Sequence, residues 1–494
     1  MRLATAAGLA GGLMLWLAGP GVGLGWLAWI ALVPPAAVAV ADPGGRAGRL
    51  AVPVAYVVAL ELLLVPALPF GLAEGQYGND LPPPLFVADS PVLLVALVVV
   101  PLFGLGLWAV RFGQPWPVAR CPLPVAWVVL PALAWGGLDF LRVKLDPGAF
   151  WGPLFLSQHD LPTASLAALG GPIAVTLAVA LVGYAVALAL VRRTRATAAA
   201  GAAVIAAVAG ATVVGESLRG DGGHTLTVAA VQPGEHTAND EDFPFQRFER
   251  GTYDLAAGDV IADLTPLTEE AAERGARVIA WPEATAFVDP TRIAFTRGRL
   301  VRLAQRLDVA IVVPYFIREL RQGEAVVVGP DGEISAPLPK QRPRWFWDED
   351  GGNRVAPRPV EAAGISIGTL LGVDNQDTSV ARRLVDRGAD VLVSSTHDWR
   401  QLAEPQRAFS RIAAAALGAP IVRADWRYGS AVIDADGTDA AAPDTARSRR
   451  VVVADVRVRS GSTPYLAVGD AFGWLCAAVA LALWLAVPLA RRVE

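Results

Sequence analysis

Eight long apolar stretches constrain this chain more than any other feature of its sequence. Seven of them lie within residues 1–215, and the eighth, AFGWLCAAVALALWLAVPLA at 471–490, carries no charged residue. Each is close to the length of about 20 residues that an α-helix needs to cross a bilayer. The composition agrees with membrane insertion, because 54% of the 494 residues are hydrophobic and only 18% are charged. The first seven stretches lie near residues 3–19, 21–41, 50–73, 91–110, 122–141, 163–191 and 196–214.

Basic residues predict the orientation of these spans, because short cytoplasmic loops carry an excess of Lys and Arg. With eight spans, one side of the membrane receives Arg2, Arg46, Arg49, Arg111, Arg120, Arg192, Arg193, Arg195, Arg491 and Arg492. The short loops of the opposite side hold only Arg142 and Lys144. We therefore expect the arginine-rich side to be cytoplasmic and residues 216–469 to lie outside. A cleaved signal peptide at residues 1–19 is the alternative, since Arg2 precedes an apolar run.

Residues 216–469 have the composition of a soluble domain, with short apolar strands that alternate with helical segments. LTVAAVQ (226–232), ARVIAWPEA (276–284), GISIGTLL (364–371) and ADVLVSST (389–396) are typical of buried strands. The pattern predicts an α/β sandwich of mixed sheets covered by helices. The predicted organisation is a seven-helix membrane domain (1–215), an α/β domain (216–469) and a C-terminal membrane helix (470–494). The net charge of −4 indicates no nucleic-acid partner.

Two charged residues of this α/β domain are candidates for chemistry. Glu283 ends the strand ARVIAW within the segment WPEA, and a carboxylate at the mouth of an apolar strand can act as a general base. An exposed or helix-capping glutamate is the alternative. Lys340 is the only lysine of the domain, although 42 residues of the chain are basic. Lysine is a compact charge suited to stabilising an oxyanion, so its retention suggests that role, with chance as the alternative.

Other polar residues give weaker indications. His397 and Asp398 follow Ser394 and Ser395, but no G-x-S-x-G elbow is present, which argues against a serine hydrolase. Four scattered histidines are too few for a metal site, and we expect no metal and no cofactor. Two carboxylates fall within apolar spans, where they are costly and indicate either a functional site or a structural partner. They are Glu61 and Asp139.

Several segments, in order along almost the whole chain, resemble the apolipoprotein N-acyltransferase family. FLRVKLDPGAFWGPLFLSQHD is similar to the family's loop between spans five and six. VIAWPEA matches its glutamate motif, and VVGPDGEISAPLPK matches the strand that leads to its lysine. RGADVLVSSTHDW resembles its G-A-D-x-L-x-x-x-T-N-D-x-W segment, and the helix and strands that follow are also similar. The resemblance implies eight spans and an extracytoplasmic nitrilase-like αββα domain in a bacterial cytoplasmic membrane.

The resemblance also implies a reaction and its residues. The family transfers a phospholipid acyl chain, through a cysteine thioester, to the α-amine of a lipoprotein's diacylglyceryl-cysteine. The family's general base matches Glu283, and its oxyanion-stabilising lysine matches Lys340. The position of its nucleophilic cysteine matches Gly372. Two further family carboxylates match Asp374 and Asp348, the latter beside Glu349. Candidate lipid-binding residues are Trp345, Trp347, Trp399 and Arg142.

Glycine has no side chain, so Gly372 cannot form a thioester. The loop QRPRWFWDEDGG and the segment Trp426-Arg427-Tyr428-Gly429 also depart from the family, whose corresponding sequences are H-L-V-P-F-G-E and Asn-Thr-Gly. Two hypotheses stay open. The chain could be an acyltransferase in which Glu283 activates the amine for direct attack on the phospholipid ester. Alternatively, it is an inactive family member that binds lipoprotein or lipid, or assists a catalytic paralogue.

Overall fold

The computed structural model describes most of the chain in two compact units. One unit is drawn from residues up to Leu218 together with those from Val468 onwards, and the other from the residues between, up to Ala467. The described residues are 2–42, 51–55, 57–59, 125–144, 152–218, 223–234, 253–286, 289–317, 320–343, 355–398, 400–442, 449–459 and 462–491.

The first unit is helical. Among its described residues, three helices are long and apolar enough to cross a membrane: Ala126–Lys144, Pro172–Arg192 and Arg195–Ser217. Most of the span expected at 50–73 and all of that at 91–110 lie outside the described residues. The stretch expected at 21–41 is divided, because a 3-10 turn and two helices follow one another there. The remaining elements are Arg2–Leu17, Gly25–Leu27 (3-10), Ala28–Ala31, Val33–Ala41, Leu154–Gln158 (3-10), Pro162–Leu166 (3-10), Ala167–Gly170 and Ala471–Arg491.

Small and polar residues hold these helices together. A Cβ at Gly137 would lie 2.7 Å from the Cys476 carbonyl oxygen, so glycine permits the close approach of helices Ala126–Lys144 and Ala471–Arg491. Asp139 is fully buried and accepts hydrogen bonds from Thr176 Oγ1 at 2.8 Å and from the Leu154 amide at 2.7 Å. The Asp139 carboxylate therefore ties its helix to a neighbouring helix and to a 3-10 turn.

The second unit is a sandwich of two six-stranded sheets. The first sheet has the order β12-β1-β2-β3-β4-β5, and the second the order β11-β10-β9-β8-β7-β6. β1, β2 and β3 are parallel to one another, as are β7, β8 and β9. The strands are β1 Gly223–Gln232, β2 Val278–Ala280, β3 Ala310–Ile317, β4 Gln322–Val328, β5 Leu338–Pro339, β6 Val360–Ala362, β7 Ile365–Leu371, β8 Val391–Thr396, β9 Ile421–Asp425, β10 Ala431–Ile433, β11 Asp439–Ala441 and β12 Arg450–Arg459.

Alternate residues of the strands form two separate apolar cores. Val278, Val312, Ile367 and Val393 belong to the core between the sheets, which β-branched side chains fill. The opposite face of the first sheet packs on helices Tyr253–Glu273 and Ala294–Leu307. Helices Thr378–Val385 and Arg400–Leu417 pack on the other face of the second sheet, where they bury apolar side chains. The result is the predicted αββα arrangement, in which loops at the carboxyl ends of both sets of parallel strands carry the candidate residues.

Candidate active site

Gly372 forms a sharp corner where β7 ends. The strand stops at Leu371, and a 3-10 turn covers Gly372–Gln376 before helix Thr378–Val385 begins. Gly372 has φ +50°, in the left-handed region that costs other residues about 1–2 kcal/mol. The chain therefore turns sharply at Gly372 between β7 and helix Thr378–Val385.

Glu283 and Lys340 meet at this corner. Glu283 follows β2, and Lys340 follows β5 at the edge of the same sheet, where its amide donates to the Gly323 carbonyl at 2.9 Å. Lys340 Nζ donates to Glu283 Oε1 at 3.1 Å. The Lys340 side chain is 6% exposed and that of Glu283 is 19% exposed, so the ion pair is largely sheltered from water.

The Glu283 carboxylate occupies the space beside Gly372 that a side chain at this position would need. A Cβ built at Gly372 would lie 2.7 Å from both Oε1 and Oε2 of Glu283, closer than real side chains approach. Any residue other than glycine would therefore push the carboxylate away, although the end of a glutamate side chain can move. The structure brings together Glu283, Lys340 and Gly372, and the Glu283 carboxylate lies where a side chain at position 372 would extend.

Asp374 binds the segment after Lys340 to the corner. This carboxylate is 1% exposed and accepts hydrogen bonds from the amides of Leu371 at 3.2 Å, Gln341 at 3.1 Å and Arg342 at 2.7 Å. Burial raises the pKa of the Asp374 carboxyl above its ordinary value, while these amide donors and the Lys340 charge act in the opposite direction. Arg342 Nη1 also donates to Asp377 Oδ2 at 2.5 Å, which adds a second connection.

Sequence reasoning missed the groups that hold the Glu283 main chain. The Glu283 amide donates to the Thr396 carbonyl at 3.3 Å, and Trp426 Nε1 donates to the Glu283 carbonyl at 2.6 Å. Thr396 ends β8 and Trp426 follows β9, so both belong to the opposite sheet. The only signal in the sequence is that Trp426 lies in a segment that departs from the resembled family.

A buried ionic cluster lies at the ends of β8 and β9. Asp398 pairs with Arg423, which is fully buried, and the Asp398 amide donates to Asp425 Oδ2 at 2.9 Å. Burial raises the pKa of Asp398 to about 7, and the nearby negative charges of Asp425 and Glu283 add to this, while Arg423 lowers it. Burial also lowers the pKa of His397 to about 3, so the imidazole is neutral at physiological pH.

The other candidate residues have different surroundings. Arg142 belongs to the helical unit, where Nη1 lies 3.6 Å from Asp139 Oδ1. Ser394 and Ser395 are fully buried within β8, where Ser395 lies beside Leu371 in the parallel register of β7 and β8. In the described part of the chain, no group of three or more His, Cys, Asp or Glu could hold a metal. Five other candidates lie outside the described residues: Trp345, Trp347, Asp348, Glu349 and Trp399.

Comparisons with known proteins agree with this fold. Residues 227–465 match the model of the carbon-nitrogen hydrolase family, and residues 11–185 match that of the apolipoprotein N-acyltransferase N-terminal domain. An apolipoprotein N-acyltransferase of Gloeobacter violaceus is 29% identical over 96% of this chain and 92% of its own length. Together these matches define a membrane-associated relative of the carbon-nitrogen hydrolases. The chain belongs to the apolipoprotein N-acyltransferase family.

Two solved structures are more distant in sequence. A carbon-nitrogen hydrolase from Helicobacter pylori is 16% identical and covers 48% of this chain and 90% of its own, with a TM-score of 0.38. An amidase from Nesterenkonia sp. is 18% identical and covers 50% of this chain and 93% of its own, with a TM-score of 0.39.

Proposed function

We propose that this protein transfers an acyl chain from a phospholipid directly to the α-amine of a diacylglyceryl-cysteine at a lipoprotein's N-terminus, without an acyl-enzyme. Lipoprotein N-acylation is the function of the family, and phospholipid and lipoprotein are the kinds of partner that the family implies. The observation that carries the proposal is the position of the Glu283 carboxylate. It is paired with Lys340 at 3.1 Å and lies where a nucleophile's side chain would otherwise be.

Direct transfer is chemically reasonable because an amine is itself a nucleophile toward an ester. The amine nitrogen attacks the ester carbonyl carbon, Glu283 takes a proton from that nitrogen, and Lys340 Nζ donates a hydrogen bond to the resulting oxyanion. The bond from carbon to the glycerol oxygen then breaks. Glu283 returns its proton to that oxygen, so the products are an amide and a lysophospholipid alcohol.

Positioning would supply much of the catalysis in such a site. Holding two reactants in the right geometry can be worth about 7–11 kcal/mol, and this term does not need a covalent intermediate. The loss of nucleophilic catalysis predicts slower turnover than in relatives that retain the cysteine. Glu283 is held at its amide, its carbonyl and its carboxylate, which supports a role that depends on a fixed base.

The proposal includes the membrane arrangement expected from the sequence. Residues 1–215 would form seven membrane helices, residues 216–469 an extracytoplasmic domain, and residues 470–494 an eighth helix. The three long apolar helices and the one-sided distribution of arginines support this arrangement. The membrane would be the bacterial cytoplasmic membrane, which contains both the phospholipid donor and the lipoprotein acceptor.

Mass spectrometry of the acceptor tests the reaction. The purified protein is incubated with phospholipid and a synthetic diacylglyceryl-cysteine peptide, and the peptide is weighed. We expect the peptide to gain the mass of one acyl chain, and this gain to disappear in Glu283→Gln. No gain with the wild-type protein, together with a gain after Gly372→Cys, would overturn direct transfer.

A non-catalytic role is the second candidate, favoured by the ion pair itself. Lys340 and Glu283 already bind each other, and among the described residues the atoms nearest to a Cβ at Gly372 are those of the Glu283 carboxylate. Such a protein would bind the phospholipid or the lipoprotein N-terminus, or assist a catalytic paralogue. Binding of the diacylglyceryl-cysteine peptide without any mass gain, unchanged in Glu283→Gln, would support this role.

A further inference from the structure

The turn that carries Glu283 has an unfavourable main-chain conformation. Ala284, the next residue, has φ +54°, a left-handed conformation that a residue with a Cβ adopts only at an energetic cost. Such a conformation persists only where its surroundings hold it, and it is common at functional sites. One anchor lies beyond the turn, where the Thr285 amide donates to the Pro314 carbonyl at 3.0 Å.

Trp426 provides an anchor from the opposite sheet. Its indole Nε1 donates to the Glu283 carbonyl at 2.6 Å, and the residue is only 4% exposed. Its own main chain is also fixed, since the Trp426 carbonyl accepts from the Gly234 amide at 2.9 Å. Asp425 Oδ1 then accepts from the amides of Arg427 at 3.0 Å and Tyr428 at 2.8 Å. The indole is therefore a rigid support.

These contacts connect two departures from the family that are far apart in the sequence. By the resemblance seen in the sequence, Gly372 stands in place of a cysteine, and the segment that begins at Trp426 stands in place of Asn-Thr-Gly. Trp426 holds the Glu283 main chain, and Lys340 holds its carboxylate, which lies 2.7 Å from the position of a Cβ at Gly372. The two changes are complementary, because Gly372 leaves space beside the corner and Trp426 fixes Glu283, whose carboxylate fills that space.

We propose that Trp426 is a positioning residue, which holds Glu283 so that its carboxylate lies in the space left free at Gly372. The site then has a general base, Glu283, but no nucleophilic side chain at residue 372. The positional part stands on the geometry alone, whereas its effect on catalysis rests on the proposed acyl transfer. Two measurements separate these parts.

The first measurement is thermal unfolding of the full chain in detergent. Gly372→Ala introduces a Cβ against the carboxylate and lowers the unfolding midpoint. If Trp426 holds Glu283 in place, the decrease caused by Gly372→Ala should be about 2–4 °C smaller when Trp426→Phe has removed the N–H, since one hydrogen bond is worth about 1 kcal/mol. Trp426→Tyr removes the same donor and serves if Trp426→Phe does not fold.

Trp281 offers a matched control. It is also fully buried, and its Nε1 donates to Thr268 Oγ1 at 3.0 Å rather than to Glu283. Trp281→Phe therefore removes a buried indole donor nearby without releasing the Glu283 carbonyl. An effect of Gly372→Ala that is equal in the wild-type, Trp281→Phe and Trp426→Phe backgrounds would overturn the inference.

The second measurement is the kinetics of acyl transfer. The Trp426 indole binds the main-chain carbonyl of Glu283. Trp426→Phe should therefore lower kcat about tenfold or more and leave KM for phospholipid and peptide within about twofold. A rise in KM with unchanged kcat would contradict a positioning role. If the wild-type protein transfers no acyl chain, the proposed function fails, while the unfolding comparison still decides whether Trp426 positions Glu283.

Discussion

Replacement of Gly372 by alanine adds one carbon atom at the most crowded point of the site. Two costs can be separated. The φ of +50° costs a residue with a Cβ about 1–2 kcal/mol, whatever surrounds it. The added Cβ also displaces the Glu283 carboxylate from its 2.7 Å position and disturbs its hydrogen bond to Lys340, which should cost about 1–2 kcal/mol more.

Gly364 allows the first cost to be measured alone. It has φ +69°, and a Cβ there would have nothing within 4 Å. Gly364→Ala should therefore lower stability by the conformational term only. We expect Gly372→Ala to lower the thermal unfolding midpoint of the detergent-solubilised protein by about 2–8 °C more than Gly364→Ala does.

A second substitution identifies the contact responsible. In a Glu283→Ala background the carboxylate is absent, so the cost of Gly372→Ala should fall to that of Gly364→Ala. The coupling between the two sites would then equal the contact term. Equal midpoints for the two glycine variants, or an unchanged cost in the Glu283→Ala background, would show that the carboxylate does not occupy the nucleophile position.

Further predictions concern neighbouring groups. Asp374→Asn should lower the unfolding free energy by about 1–3 kcal/mol in denaturant titration, because the main-chain amides that it binds lose a carboxylate acceptor. A decrease of less than about 0.5 kcal/mol would contradict this prediction. Lys340→Arg should reduce peptide acylation about 10²–10³-fold, since a guanidinium does not fit a site that leaves the lysine 6% exposed; near-normal rates would show that charge alone suffices. The folded pKa of Asp398 is raised to about 7, so the folded state keeps a proton that the unfolded chain has already lost. Stability should therefore fall as pH rises from about 4 towards that value. Asp398→Asn should reduce the loss of unfolding midpoint between about pH 5 and pH 8, a range that contains the Asp398 pKa of about 7. A pH dependence of the unfolding midpoint that is the same in Asp398→Asn and the wild type would exclude the Asp398 carboxyl as its cause.

Much of the scaffold could be predicted because its signals are local. GISIGTLL alternates side chains between two buried faces, and the following GVDNQ breaks the strand before a helix begins. WPEA and the single lysine of the domain stand out in the sequence, and their strands bring both to the corner. The positions of Glu283, Lys340 and Gly372 relative to one another therefore follow from strand ends that meet at one edge of the sandwich.

The contacts that define the site's chemistry could not be predicted in this way. The Glu283 carbonyl is bound by Trp426, which lies 143 residues further along the chain, and its amide is bound by the end of β8. The carboxylate's place beside Gly372 depends on two loops from different sheets, and no spacing in the sequence encodes their separation. Arg423 is likewise unremarkable in the sequence, although it is fully buried against Asp398.

The kinetic pattern of acyl transfer tests the central claim most directly. Initial rates would be measured while phospholipid and diacylglyceryl-cysteine peptide are varied independently. Transfer without an acyl-enzyme requires both substrates to be bound together, so the double-reciprocal lines should intersect. Parallel lines indicate a ping-pong route through a covalent intermediate. Parallel lines with an acyl adduct on the protein would contradict the account, because they would require a nucleophile that the corner at Gly372 does not provide.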